Sequence, residues 1–267
     1  MTERLSIKDF QKMKENGEKI TMISSYTYPV SKIIDKVGID SILVGDSLGM
    51  TIYGYDNTLN VNLEDSIRHT AAVVRSSNRA LIIGDMPFLS YGVSIEQTIS
   101  NAGRMIKDSG CQAIKLEGGR ERGEEIHALM EIGIPVMGHI GLTPTYINRF
   151  GGFKVQGKTQ EQAMRIIEEA KFLEAVGVFA IVLESIPWEL GKKITEGLSI
   201  PTIGIGAGEY CDGQVLVIDD ILGLTQISKP KFVKNYANIQ KEIEEAVKLY
   251  KKEVKTGKFP DETHRYD

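Results

Sequence analysis

Short apolar runs of four or five residues, rich in Val, Ile and Leu, alternate along the chain with longer stretches whose apolar residues return every three or four positions. The runs fall at residues 20–24, 40–44, 80–84, 113–116, 135–138, 180–183, 201–205 and 215–218. Helical spacing appears at about 29–37, 63–76, 94–107, 123–131, 159–175 and 187–195. Asn62 stands where the helix over 63–76 needs an N-cap, and Pro187 suits a first helical turn. The runs lack strict apolar–polar alternation, which is how strands read when both faces of a parallel sheet are covered. Eight of them separated by helices predict a closed (β/α)8 TIM barrel, with an open doubly wound sheet as the alternative. Residues 231–255 then read as one charged helix with Ile239, Ile243, Ala246, Val247 and Tyr250 at helical spacing. Such a helix suits the surface or a neighbouring subunit. No Pro/Ser-rich or low-complexity stretch divides the chain, so the expectation is one barrel domain over 1–267 with a helical tail from about 231 to 267.

Composition narrows the function classes. The 267 residues suit one barrel, and 42% hydrophobic residues can fill a large core. Thirty-two basic residues against 36 acidic ones leave a formal charge of −4, so no global field draws nucleic acid or anionic lipid. Cys111 and Cys211 lie too far apart for a zinc spacing and are too few for a disulfide framework. The first ten residues are polar, and no apolar run approaches the ~20 residues of a membrane helix. These features predict a soluble, cytoplasmic protein with no nucleic-acid or membrane partner.

In a barrel the catalytic groups project from the C-terminal ends of the strands. Here the second run leads into Gly45-Asp46-Ser47, the third into Asp85, the fourth holds Lys115 and meets Glu117, the fifth meets His139, and the sixth meets Glu184. Any one acidic residue at such a place can be an ordinary N-cap. Four from four strands would repel one another at one mouth unless a cation neutralised them, and a hard divalent ion such as Mg2+ suits oxygen ligands. Lys115 and Glu117 share a face of their strand. They make either a satisfied internal ion pair, or a metal-facing carboxylate beside a cation that grips an anionic substrate. Of the four histidines, His69 and His127 fall in helices and His264 in the tail, which leaves His139 as the site candidate. The turn Gly204-Ile205-Gly206-Ala207-Gly208 could cradle phosphate but fits tight packing better. Cys111 starts the fourth strand, the wrong end for chemistry. The residues alone thus point to a Mg2+-dependent barrel acting on a small anionic oxo-acid.

Seven segments taken in order carry a more specific signal: VGDSLGM at 44–50, GDMPF at 84–88, IKLEGG at 114–119, GHIGLTP at 138–144, IVLESIP at 181–187, IPTIGIGAG at 200–208 and CDGQV at 211–215. Together they resemble the ketopantoate hydroxymethyltransferase family over nearly the whole chain. The resemblance implies transfer of a hydroxymethyl group from 5,10-methylenetetrahydrofolate to 3-methyl-2-oxobutanoate, giving 2-dehydropantoate on the way to pantothenate and coenzyme A. It also implies Mg2+ and a homo-oligomer, commonly a decamer. Carried over by motif, Asp46, Asp85 and Glu117 associate with the metal, while Asp46, Ser47, Asp85 and Lys115 bind the keto acid. Glu184 is the proton acceptor and His139 supports it. The chain departs from the family pattern at Thr27, Thr145 and Asp219, where Asp, Gln and His are common, which places the differences at rim contacts. Two other functions fit the same barrel. One is a Mg2+-dependent enolate-forming enzyme of the phosphoenolpyruvate mutase or C–C lyase type, and the other is an oxo-acid-binding barrel without turnover.

Overall fold

Eight parallel strands pair in sequence order and close on themselves in the computed structural model, which describes residues 4–225 and 230–266. They are β1 (Ile20–Ser24), β2 (Ser41–Val44), β3 (Leu81–Asp85), β4 (Ala113–Glu117), β5 (Val136–Gly141), β6 (Ala180–Glu184), β7 (Thr202–Ile205) and β8 (Gly213–Val217). β8 returns to β1 with Val215 opposite Met22, and this last pairing makes the sheet a barrel rather than the open doubly wound alternative. Every one of the eight expected runs became a strand. β3, β4 and β6 extend one residue further than their apolar runs because pairing continues through the acidic residue, as where Asp85 faces Lys115.

Side chains two apart on a strand point the same way, and this sorts the barrel into layers. Leu81 and Ile83 lie below Asp85, Ala113 lies below Lys115 and Glu117, Met137 lies below His139, and Ala180 and Val182 lie below Glu184. The lower layers are apolar and buried, with Ile20, Met22, Leu43, Ile203 and Val215 in the same cluster. A helix at Ile7–Asn16 that periodicity did not reveal closes the floor. Ser6 and Asp9 form its capping box, and its fully buried Phe10 meets Phe179 edge-on at 6.0 Å.

The outer helices of the barrel run over Tyr28–Val37, Leu63–Ser76, Ile95–Ser109, Gly123–Glu131, Gln160–Val176 and Trp188–Gly197. The Asn62 cap forms as expected, its side chain accepting from Asp65 N–H. β7 and β8 are joined by 206–212 alone, with no helix between them. The glycine turn there serves packing: Gly206 and Gly208 have φ of 68° and 83°, and a Cβ on Gly208 would strike Trp188.

The chain divides into two compact units, Met1–Val217 and Ile218–Asp267. The second holds a short helix, Ile218–Leu222, and a longer one at Ile239–Lys255. That helix starts eight residues later than the expected 231, because Asn238 caps it by accepting from Lys241 N–H. None of its residues is buried, and Ile243, Val247, Tyr250 and Val254 form an exposed apolar stripe. Among the described residues no helix is long and apolar enough to cross a membrane.

Candidate active site

The mouth of the barrel gathers the ionisable residues that the strand ends promised. Asp85 Oδ2 accepts from the backbone N–H of Asp46 at 3.0 Å, which ties the end of β3 to the turn after β2. Lys115 Nζ lies 2.8 Å from Asp85 Oδ1 and 3.2 Å from Glu117 Oε1. His139 spans two carboxylates, with Nδ1 3.3 Å from Glu117 Oε1 and Nε2 3.2 Å from Glu184 Oε2. Gly141 allows β6 to end this close. Its φ is 95°, and a Cβ there would collide with the carbonyl oxygen of Glu184.

Burial decides the charge states. Asp46 is pushed well above the usual carboxylate range by desolvation first, then by the charges of Asp85 and Glu117. Asp85 is raised too, chiefly by burial, against the pull of Lys115. Burial would also raise Glu117, but the charge of Lys115 and hydrogen bonds from His139 and Thr145 outweigh it and hold the group low. Burial would lower Lys115, yet Asp85, Glu117 and Asp46 together keep it firmly protonated. For His139, desolvation and Lys115 act downward, while bonding to Glu117 and Glu184 wins and lifts its pKa to about 9. The ring thus favours its charged form, with Lys115 Nζ, 3.2 Å from Nδ1, opposing it.

Four carboxylates then face one ammonium and one imidazolium, leaving two negative charges when all are ionised. Two oxygens carry the deficit. Asp46 Oδ2 is buried without a hydrogen-bond partner, and Asp85 Oδ1 is near Lys115 in distance but off the hydrogen-bonding direction. A divalent cation beside this pair would satisfy both. Among the described residues no three Asp, Glu, His or Cys side chains are gathered closely enough to hold a metal alone. Mg2+ does not need that, since it commonly takes one or two carboxylates and completes its shell with water and substrate oxygens. Glu117 already has both oxygens engaged, so Asp46 and Asp85 are the two that could take such an ion first.

Ser47 lies at the same rim, its hydroxyl 2.7 Å from that of Tyr26. His69, expected to be structural, braces this corner: Nδ1 meets the Tyr26 carbonyl at 2.7 Å and Nε2 meets the Tyr53 hydroxyl at 3.1 Å. Thr145 is more than a rim contact. It is buried, and both its N–H and its hydroxyl donate to Glu117 Oε2. Tyr91, absent from the sequence reading, bonds the Glu117 backbone, and Arg122 Nη2 meets the Tyr146 hydroxyl at 3.1 Å. No spacing marks these supporting residues. Thr27 precedes the helix at Tyr28–Val37 and makes no side-chain cap bond. Asp219 belongs to the second unit. Cys111 and Cys211 are buried with raised thiol pKa values from desolvation, as an inert role requires.

Comparison with known proteins narrows the reading. The ketopantoate hydroxymethyltransferase family model matches residues 4–262. The chain belongs to that family. A 3-methyl-2-oxobutanoate hydroxymethyltransferase from Clostridium botulinum (strain 657 / Type Ba4) is 56% identical over 98% of this chain and 96% of its own length. One from Geobacter metallireducens is 54% identical over 100% of both chains. Among solved structures, phosphonopyruvate hydrolase with oxalate and Mg2+ has a TM-score of 0.64 at 11% identity, covering 99% of this chain and 93% of that one. A 2,3-dimethylmalate lyase has a TM-score of 0.61 at 13% identity, covering 94% and 88%. At that identity this chain shares the fold with both.

Proposed function

We propose that this chain is a cytoplasmic, Mg2+-dependent enzyme that converts 3-methyl-2-oxobutanoate, 5,10-methylenetetrahydrofolate and water into 2-dehydropantoate and tetrahydrofolate. The observation that carries the mechanism is an asymmetry of exposure across the mouth. The side chains of Asp85 and Glu117 are 2% and 1% exposed, whereas Glu184 is 15% exposed. The buried carboxylates are suited to fixed charge, and the accessible one to meeting a substrate proton. Asp46 and Asp85, with Glu117 associated, would hold Mg2+, which when bound would supply Lewis acidity to stabilise the negative charge that develops as C3 loses its proton.

The chain's own groups do the rest. The Lys115 ammonium and the Ser47 hydroxyl face the keto acid as donors. Glu184 accepts the C3 proton, and His139 at 3.2 Å steadies the carboxyl before and after transfer. The C3 carbon, carrying the electron pair of the broken C–H bond, then forms the new C–C bond to the one-carbon unit of the folate. The carbon's two bonds to folate nitrogens break, water supplies its hydroxyl, and the proton held by Glu184 and one from water end on the nitrogens of the departing tetrahydrofolate. Apolar layers beneath the site keep water from entering below. The chain acts as a homo-oligomer in this reading, supported by the exposed stripe of the helix at Ile239–Lys255. A monomeric mass by light scattering at micromolar concentration would count against assembly.

The test is an assay of 2-dehydropantoate formation with both substrates, with and without EDTA. Product that depends on folate and disappears with the chelator is expected. Cleavage of an oxo-acid with no folate present would instead favour a lyase or mutase on the same barrel.

A further inference from the structure

Glu117 is the best-secured carboxylate of the mouth, and its fixed orientation has an identifiable source. Oε2 accepts Thr145 N–H at 2.9 Å and the Thr145 hydroxyl at 2.5 Å. Oε1 is thereby turned toward Lys115 Nζ at 3.2 Å and His139 Nδ1 at 3.3 Å, and these two nitrogens are themselves 3.2 Å apart. Below the carboxylate, Glu117 N–H donates to the Tyr91 hydroxyl at 3.2 Å. Thr145 itself sits in the tight turn Pro144–Tyr146 after β5, and Tyr146 is tied to Arg122 from the segment after β4. The hydroxyl is therefore carried on an anchored loop and buried, not offered to solvent.

We propose that Thr145 is a positioning residue. By holding Oε2 it commits Oε1 to Lys115 and His139, and so fixes the imidazole that meets Glu184. Facing an ionised carboxylate, the Thr145 hydroxyl can only donate, and such charge-assisted bonds are among the stronger orienting contacts. Without it, Oε2 keeps a single backbone donor, and the carboxylate gains freedom to rotate about its last bond. Lys115 Nζ and His139 Nδ1 then lose the oxygen fixed beside both, and the imidazole is held less firmly next to Glu184. The kinetic side of this inference rests on the hydroxymethyl-transfer reading. Its hydrogen-bond side does not.

Two substitutions separate the donor from the methyl group. Thr145→Val removes the hydroxyl at similar volume, and Thr145→Ser keeps it without the methyl. For Val, kcat should fall by roughly 10–100-fold, the usual worth of a supporting contact behind a metal-site ligand. KM for the keto acid should move much less, and folate-independent exchange of the C3 hydrogen into deuterated water should slow in step. Ser should stay close to wild type. In parallel, the imidazole ring resonances of His139, assigned by their loss in His139→Gln, should coincide in wild type and Ser and shift or broaden in Val. Wild-type behaviour of Val, or a Ser variant as impaired as Val, would overturn the proposal. An inactive wild type with the ring resonances still perturbed only in Val would sink the hydroxymethyl-transfer reading and leave the positioning role standing.

Discussion

At the floor of the barrel Asp35 accepts from the backbone N–H groups of Asn78, Arg79 and Ala80 at 2.8, 3.1 and 2.8 Å, while at the mouth Asp46 Oδ2 is buried without a well-formed hydrogen bond. The contrast extends to their neighbours. Asp40 takes the N–H and hydroxyl of Thr21, and Asp212 takes Thr202 N–H and Lys14, so the floor carboxylates serve as caps for strand starts. The consequence is opposite charge behaviour. Backbone donors overcome burial and hold Asp35 below the usual range, whereas burial and like charges drive Asp46 above it. A carboxylate whose lone pairs are filled by its own fold contributes stability. One left short costs stability and is kept for something the fold does not contain.

Removing the mouth's cation site should have the largest effect. Asp85→Ala takes away the acceptor that binds Asp46 N–H and the partner of Lys115, so Mg2+ and keto-acid affinity should fall together and turnover should drop below detection. Calorimetric titration of Mg2+ and of the keto acid checks both. Full activity in EDTA would break the idea. Glu184→Gln comes next, with a loss of about 10²–10⁴-fold in kcat, the range for a positioned acid–base group. Folding and keto-acid binding should persist, and C3 exchange into deuterated water should slow with turnover. If exchange continued at the wild-type rate while product formation collapsed, Glu184 would act later in the reaction and His139 would be the next candidate base.

The barrel was legible because β-branched runs and helical spacing report burial, and burial follows from the fold. All eight strands lie where the runs place them, and Asp46, Asp85, Lys115, Glu117, His139 and Glu184 meet at one mouth because each falls at the same point of the repeat. The floor helix Ile7–Asn16 was not legible from periodicity, since only its Phe10 is buried. Its capping box was readable in principle from Ser6 and Asp9. Thr145 drew attention only as a departure from a pattern. Its hydroxyl reaches Glu117 from 28 positions away, a contact that no local spacing encodes.

A smaller and opposite effect is expected from Asp46→Asn in the metal-free protein. A buried carboxyl whose pKa is raised by the fold weakens the native state at neutral pH, because unfolding lets it ionise in water. Asn removes that penalty while keeping the size. Activity should be lost, and the melting temperature should rise by a few degrees, about 2–4 °C for each kcal/mol in a chain of this length. Calorimetry without divalent ions makes the comparison, and a lowered melting temperature would show that the Asp46 charge is satisfied after all.

The smallest effect should come from the floor, and its pH dependence is what distinguishes it. Asp35→Asn keeps the shape but replaces a charged acceptor of three N–H groups by a neutral one. Hydrogen bonds to charged groups contribute roughly 1.5–3 kcal/mol when well buried. Asp35 is only partly buried, so solvent screening reduces the expected loss to about 1 kcal/mol. Since the folded carboxyl titrates below its unfolded value of about 3.9, its contribution is fully present above that pH. It is lost as pH falls through the folded pKa, when wild type also becomes neutral at this site. The urea midpoints of wild type and variant should therefore differ by a constant amount from pH 7 down to about pH 5 and converge below about pH 4. kcat per folded molecule should not change. A stability gap that persisted undiminished at pH 3 would mean that Asp35 acts through shape rather than charge, and the division between saturated floor and unsatisfied mouth would lose its physical basis.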